Sequence, residues 1–158
     1  MNKRFFLFLV LFLFGASACT PPNIDLELAS QNERIPFPNF VARDLLRQNA
    51  WPEFSQITVY ESIDNCAVPN CPVMWKVIVS EGKSPREITY GELPSFGAQT
   101  IIAPKDLIPG SNYQLILDQA EGTPPTGKGA LSFSIDENGV LKSAAVKASN
   151  TDSSEAAK

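Results

Sequence analysis

The feature that most constrains the fold is a series of short runs, rich in β-branched and aromatic residues, that begins at residue 56. The runs are 57–60, 73–79, 87–90, 99–103, 112–117 and 131–135, with Gly- or Pro-bearing turns between them. In the clearest run, Val73, Trp75 and Val77 fall on one face of a strand. The turn 136–139 then predicts a hairpin in which Gly139 takes a positive φ. Six or seven short strands at this spacing favour an all-β sandwich or barrel.

The segment 35–54 precedes these runs and carries a mixed pattern. Residues 35–38, Ile-Pro-Phe-Pro, are extended because each proline restricts its own backbone and that of its predecessor. Asn39 is placed to cap a short helix from Phe40 to Gln48. We therefore expect a β-sandwich domain over 35–142 that begins with a short N-terminal helix or an extended segment.

The run 107–117, Leu-Ile-Pro-Gly-Ser-Asn-Tyr-Gln-Leu-Ile-Leu, resembles the E–F corner of fibronectin type III and other immunoglobulin-like domains. The resemblance implies that the Tyr113 hydroxyl bonds to backbone upstream and that Leu115 and Leu117 point inward. It implies an immunoglobulin-like β-sandwich, although the long-range disulfide between sheets is missing and a transthyretin-like sandwich stays open. The stretch from residue 88 to Tyr113 also looks like a pattern of poorly characterised Gram-negative lipoproteins, a likeness that names no activity.

The first nineteen residues have the order of a secretory signal. Lys3 and Arg4 precede ten apolar residues, 5–14, and small residues follow them. The apolar run is shorter than the roughly 20 residues that a transmembrane helix needs. Residues 16–19, Ala-Ser-Ala-Cys, resemble the lipobox of bacterial lipoproteins. That resemblance implies a signal peptide over 1–18 and lipid on Cys19.

The lipobox resemblance also implies a location. Asp after the cysteine commonly signals retention at the inner membrane, so Thr20 points to the outer membrane, facing the periplasm. We expect the lipidated cysteine and a tether over 19–34, and a disordered polar tail over 143–158. The alternative is a free secreted protein that is cut near Ala18 and has an incidental Cys19.

The charge of the mature chain limits its partners. Lys3 and Arg4 leave with the signal, so the net charge of −4 becomes −6. An acidic domain gains nothing from the release of phosphate counterions, so we expect no nucleic-acid partner. The charge does not favour anionic lipid either, so lipid on Cys19 must supply the membrane attachment.

The cysteine and histidine content bears on chemistry. Cys66 and Cys71 remain once Cys19 is assigned to lipid, and we expect them to pair in an oxidising compartment. The chain has no histidine, which excludes Ser–His and Cys–His nucleophile pairs and leaves a zinc site without its usual ligands. We expect no metal and no cofactor.

Two partial motifs fail on their context. Residues 122–129 nearly spell a phosphate-binding P-loop, but Gly129 stands where a hydroxyl should hold Mg²⁺, and a strand pattern follows. Residues 80–83 match Ser-x-x-Lys at the end of a strand, without the companion motifs of penicillin-binding enzymes. We interpret both as turns between strands.

The aromatic residues around 35–54 are candidates for a partner surface, namely Phe37, Phe40, Trp51 and Phe54. Packing beneath the sandwich is the alternative role for Trp51. We expect a non-enzymatic, lipid-anchored module that binds or assembles an envelope protein. A structural accessory subunit of an envelope or secretion complex is the second hypothesis. A hydrolase that uses two carboxylates is the third.

Overall fold

The computed structural model describes residues 24–29, 37–45, 51–80, 84–94, 97–122 and 126–143. These residues contain nine strands and no helix. The strands are β1 (Ile24–Leu28), β2 (Asn39–Asp44), β3 (Gln56–Ser62), β4 (Val73–Val79), β5 (Glu87–Thr89), β6 (Ala98–Ile102), β7 (Asn112–Asp118), β8 (Gly129–Ile135) and β9 (Leu141–Ser143). The predicted all-β class is therefore confirmed.

The strands form two antiparallel sheets, ordered β1-β2-β5 and β6-β4-β3-β7-β8-β9. In immunoglobulin domains, strands A, B and E face strands C, F and G. The same order relates β1-β2-β5 to β3-β7-β8, so the chain is an immunoglobulin-like β-sandwich. Two features depart from that pattern. Strand β6 lies beside β4 although it follows β5 in sequence, and β9 extends the larger sheet beyond β8.

The core forms where aromatic rings from the two sheets meet. The ring of Phe40 on β2 lies 5.2 Å from that of Phe133 on β8, centroid to centroid. Tyr113 on β7 stacks on Phe133 at 5.4 Å. Trp75 on β4 is also fully buried and meets Tyr90 edge to face. These inward positions alternate with less buried ones, which is the pattern of strands that pack one face on a core.

The helix predicted from Phe40 to Gln48 is wrong over the part that the structure describes. Asn39–Asp44 is strand β2, which pairs with β1 on one side and β5 on the other. Phe40 and Ala42 are both fully buried, so the sequence follows a two-residue period here. Pairing with two neighbouring strands outweighs the local preference of this segment for a helix, because intrinsic propensity alone determines secondary structure only weakly. Residues 46–48 lie outside the described residues.

The sandwich begins at residue 24, whereas the sequence placed its start at 35. Ile24–Leu28 forms β1 within the segment predicted as a tether, and Ile24, Leu26 and Leu28 are all buried. The alternation Ile-Asp-Leu-Glu-Leu is the signal that the sequence contained. The predicted signal peptide, Cys19 and the tail beyond residue 143 lie outside the described residues.

One end of the sandwich is called the Trp51 pole. It comprises the start of β1, the end of β2 and the segments next to them, with residues Ile24, Leu45, Trp51, Arg86 and Lys128. Ile24 pairs with Asp44, and its amide donates to the carbonyl of Lys128 at 2.8 Å. The amide of Ala42 donates to the carbonyl of Arg86, which places Arg86 beside the end of β2.

The opposite end is called the Phe37 pole. It comprises the segment before β2, the turn after β5 and the connection from β6 to β7, with residues Phe37, Tyr90, Gly91 and 104–107. The amide of Tyr90 donates to the carbonyl of Pro38 at 2.9 Å, which joins the first two of these segments. The strands therefore separate the two poles by their full length.

Candidate functional site

The structure separates the four aromatic residues that the sequence grouped as a partner surface. Phe40 and Phe54 are buried, with 0% and 1% of their surface exposed, so they belong to the core and their assignment to that surface is wrong. Phe37 and Trp51 are exposed, at 58% and 56%. They lie at opposite poles, so they do not form one patch. Two separate surfaces replace the predicted one.

The surface at the Phe37 pole is a pocket of about 350 Å³. Its lining comprises Phe37, Tyr90, Gly91, Pro104, Lys105, Asp106 and Leu107. Three separate segments supply these residues, so the pocket exists only when both sheets are folded against each other. Its volume is at the lower end of the range of ligand sites, which is about 300–1,000 Å³.

Tyr90 holds the connection that closes this pocket. Its hydroxyl donates to the carbonyl of Lys105 at 2.7 Å, and the amide of Lys105 donates to the carbonyl of Met74 at 3.0 Å. The Tyr90 ring packs against Trp75 at 5.5 Å. Burial raises the pKa of Tyr90 from 10.0 to about 12, so its hydroxyl keeps the proton that it donates even at pH values where an exposed tyrosine would lose it.

The rest of the pocket combines apolar and charged groups. Gly91 takes a φ of +83°, a conformation that a side chain would strain, in the turn that leads away from β5. A Cβ atom at Gly91 would lie 3.5 Å from Pro104 and 4.0 Å from the Phe37 ring, so these residues stand close together. Lys105 and Asp106 add one charge of each sign to the lining. The pocket suits an apolar side chain carried on a polar backbone.

Strand β6 leads directly into this pocket and is an outer strand of the larger sheet. The amide of Ser80 donates to the carbonyl of Gly97 at 3.2 Å, and Gln99 then pairs with Ile78. Hydrogen bonding alternates along an antiparallel ladder, so the backbone groups of Ala98 and Thr100 point away from β4. The register shifts by one residue at Ile101, which ends this regular stretch.

Among the described residues, no strand pairs with the outer edge of β6. The strand reads Ala-Gln-Thr-Ile-Ile, without a charged residue, and its three central residues are exposed. Natural proteins commonly protect edge strands with charged residues or proline. Here the first proline is Pro104, which already lines the pocket. The open edge and the pocket are consecutive along the chain.

At the other pole, Trp51 is fixed by two contacts. Its indole N–H donates to the carbonyl of Ser84, and the guanidinium of Arg86 lies 4.5 Å from the centre of its ring. The Ser84 hydroxyl is itself buried and bonds both the amide and the carbonyl of Phe54, at 3.0 and 2.6 Å. The ring is therefore held in place while more than half of it faces solvent.

The predicted corner residue is where the resemblance placed it. Tyr113 is fully buried at the start of β7, and its hydroxyl accepts a hydrogen bond from the amide of Ile108 at 2.7 Å. The bond ties the connection before β7 to the core, as the tyrosine corner does in immunoglobulin-like domains. The sulfur atoms of Cys66 and Cys71 lie 2.06 Å apart, at disulfide distance.

The partial motifs take part in ordinary backbone structure. The amide of Gly127 donates to the carbonyl of Glu53, and β8 begins at Gly129 where a P-loop would begin a helix. The Ser80 hydroxyl donates to the carbonyl of Gly97, while Lys83 lies outside the described residues. Within the described ranges, no three His, Cys, Asp or Glu side chains are grouped as a metal site would require.

No helix among the described residues has the length and apolar character to cross a membrane. No family model matches the chain, and neither a curated protein nor a solved structure matches it. The sequence did not predict the pocket, because its residues come from segments that lie together only in the folded sandwich.

Proposed function

We propose that this chain is a lipid-anchored envelope lipoprotein that binds an extended segment of another envelope protein without catalysing a reaction. The lipid is placed on Cys19, and the domain faces the periplasm from the outer membrane. The observation that carries the binding role is the continuity of the β6 edge with the pocket at the Phe37 pole.

In this proposal the partner adds a strand to the larger sheet. The outward backbone groups of Ala98 and Thr100 would bond to the partner's backbone, and an apolar partner side chain would enter the pocket beyond Ile102. Backbone pairing supplies affinity with little sequence preference, whereas the pocket supplies the preference. The mixed charges of Lys105 and Asp106 would contact the polar backbone that carries that side chain.

The lipid anchor would compensate for the weak binding expected of a short strand edge. Each hydrogen bond contributes about 0.5–1.5 kcal/mol net, so a regular stretch that ends at Thr100 binds weakly by itself. Fixing the domain at the membrane surface raises its effective concentration toward partners in the same membrane. The lipobox resemblance at Cys19 supports this arrangement.

The binding role can be tested by placing a photo-crosslinking residue at Ile101, which is 46% exposed, in intact cells. We expect capture of a specific envelope protein in an otherwise native chain and in Thr100→Val. Capture should disappear in Thr100→Pro, because proline removes an outward N–H to which no described residue of the sandwich bonds. Phe37→Ala should also weaken capture, because it removes one wall of the pocket.

The matched control places the crosslinking residue at Glu137, in the exposed turn between β8 and β9. If Glu137 captures the same protein as Ile101, or if Thr100→Pro captures as well as Thr100→Val, the edge is not the binding surface. Deletion of the gene separates the accessory-subunit alternative, since only that role lowers the abundance of other envelope proteins.

The anchor has its own test. The mass of the N-terminal peptide from membrane-purified protein should equal that of a chain that starts at Cys19 and carries acyl groups. An unmodified Cys19 in that peptide would contradict the anchor and leave the edge to be judged on the crosslinking alone.

A further inference from the structure

The Trp51 pole carries an exposed apolar pair that the proposed partner surface does not use. Trp51 and Leu45 are 56% and 55% exposed, and both lie at this end of the sandwich. Trp51 is held by its hydrogen bond to the carbonyl of Ser84 and by the Arg86 guanidinium, so its position is fixed by the fold.

The chain outside the described residues limits how far this pole can lie from Cys19. Ile24, the first residue of β1, is five residues after Cys19. Five residues span at most about 18 Å even when fully extended, since each adds about 3.3–3.6 Å. A lipid on Cys19 therefore keeps Ile24 within that distance of the bilayer.

Leu45 and Trp51 both lie close to Ile24. Ile24 pairs with Asp44, the residue before Leu45, and its amide is bonded to Lys128. The amide next to Lys128, that of Gly127, is bonded to Glu53, which is two residues after Trp51. The short distance that the chain can span between Cys19 and Ile24 therefore also keeps both exposed apolar side chains near the membrane.

The chemistry of the pole fits the headgroup region of a bilayer. Tryptophan favours this region because it combines a large apolar ring with a polar N–H group. Two of the described cations at this end are paired with acids: Arg43 with Glu27 and Lys128 with Asp118, each at 3.2 Å. The guanidinium of Arg86 lies against the Trp51 ring. Because two of these three cations are paired, we expect apolar burial, more than attraction to anionic lipid, to drive the contact.

We propose that the Trp51 pole docks on the bilayer that holds Cys19, with Trp51 and Leu45 at the level of the headgroups. This inference rests on the lipid anchor of the proposed function. Docking turns the Phe37 pole away from the membrane. Seven-residue strands such as β7 are about 20 Å long, so the pocket would stand at roughly that height.

The chain provides its own fluorescent probe, because it contains two tryptophans and the other, Trp75, is only 1% exposed. The mature chain from Cys19 is coupled through its one unpaired thiol to a maleimide phospholipid in phosphatidylcholine vesicles. The measurement is the loss of tryptophan emission when the vesicle lipids carry bromine at carbons 6 and 7. Chemical coupling supplies the anchor whether or not cells attach lipid, so this test is independent of the peptide mass.

We expect emission to fall in brominated vesicles and the fall to vanish in Trp51→Phe, which retains the buried Trp75. Leu45→Asp should reduce the fall while Trp51 stays in place, with near-ultraviolet circular dichroism checking that the variant is folded. Phosphatidylserine in the vesicles should leave the fall unchanged. No fall in vesicle-bound wild type, or a fall only with phosphatidylserine, would overturn the proposal.

Discussion

The hydroxyl of Tyr113 offers a direct measurement of what the corner contributes to stability. Tyr113→Phe removes one oxygen atom, while the fully buried ring keeps its packing on Phe133. The amide of Ile108 then loses the acceptor that lies 2.7 Å away. Leaving such a partly buried donor without a partner costs about 1–3 kcal/mol. At roughly 4 °C per kcal/mol for a domain of this size, Tm should fall by about 4–12 °C.

Urea unfolding followed by tryptophan fluorescence measures this change, because Trp75 reports on the core. The midpoint should move to lower urea with an unchanged slope, since the variant exposes the same surface on unfolding. Tyr60→Phe is the matched control. Tyr60 is 9% exposed, and its hydroxyl makes no hydrogen bond to another described residue.

If the free energy of unfolding of Tyr113→Phe stays within about 0.5 kcal/mol of the wild type, the range of a neutral surface change, the corner hydrogen bond does not stabilise the fold. An equally large loss in Tyr60→Phe would contradict the prediction as well, because the effect would then belong to any tyrosine hydroxyl.

Two further predictions concern close packing and pH. Gly129→Ala should lower the free energy of unfolding by about 1–3 kcal/mol in a denaturant titration, because its Cβ atom would lie 2.7 Å from the carbonyl oxygen of Ile24. Burial raises the pKa of Tyr90 in the folded chain to about 12 from its ordinary value of 10.0, so the unfolded chain loses this proton first. Stability should therefore fall as pH rises from 10 toward 12, and less steeply in Tyr90→Phe, when unfolding is measured at several pH values in that range.

The sequence predicted the later strands well because each has a local signal. The run Val73–Val79 alternates between faces, and the structure has a strand with the same bounds. The turn after β8 also follows its local chemistry. Gly139 has a φ of 77°, and the backbone N–H of Val140, together with Lys142, holds the pKa of Asp136 below its usual value. Such features depend on neighbours in sequence.

The first two strands were harder to predict because their partners are distant in sequence. Phe40 pairs with Ile88 on one side and Leu28 on the other, and the local pattern around Phe40 fits a helix almost as well. The pocket was hard to predict for the same reason, since Phe37 and Pro104 come together only across the sandwich. Of the predicted partner surface, only the exposed Phe37 belongs to that pocket.

The close approach of β1 to β8 gives the sandwich one closed side and one open side. At Gly129, a missing side chain lets the backbone of Ile24 come within bonding distance of Lys128. On the other side, the smaller sheet ends in β5 and the larger in β6. Among the described residues, the far edge of the larger sheet, β9, has three residues, and β6 has five. β6 is thus the longer edge that the described part of this sheet presents, and we expect each domain to take one partner strand, at β6.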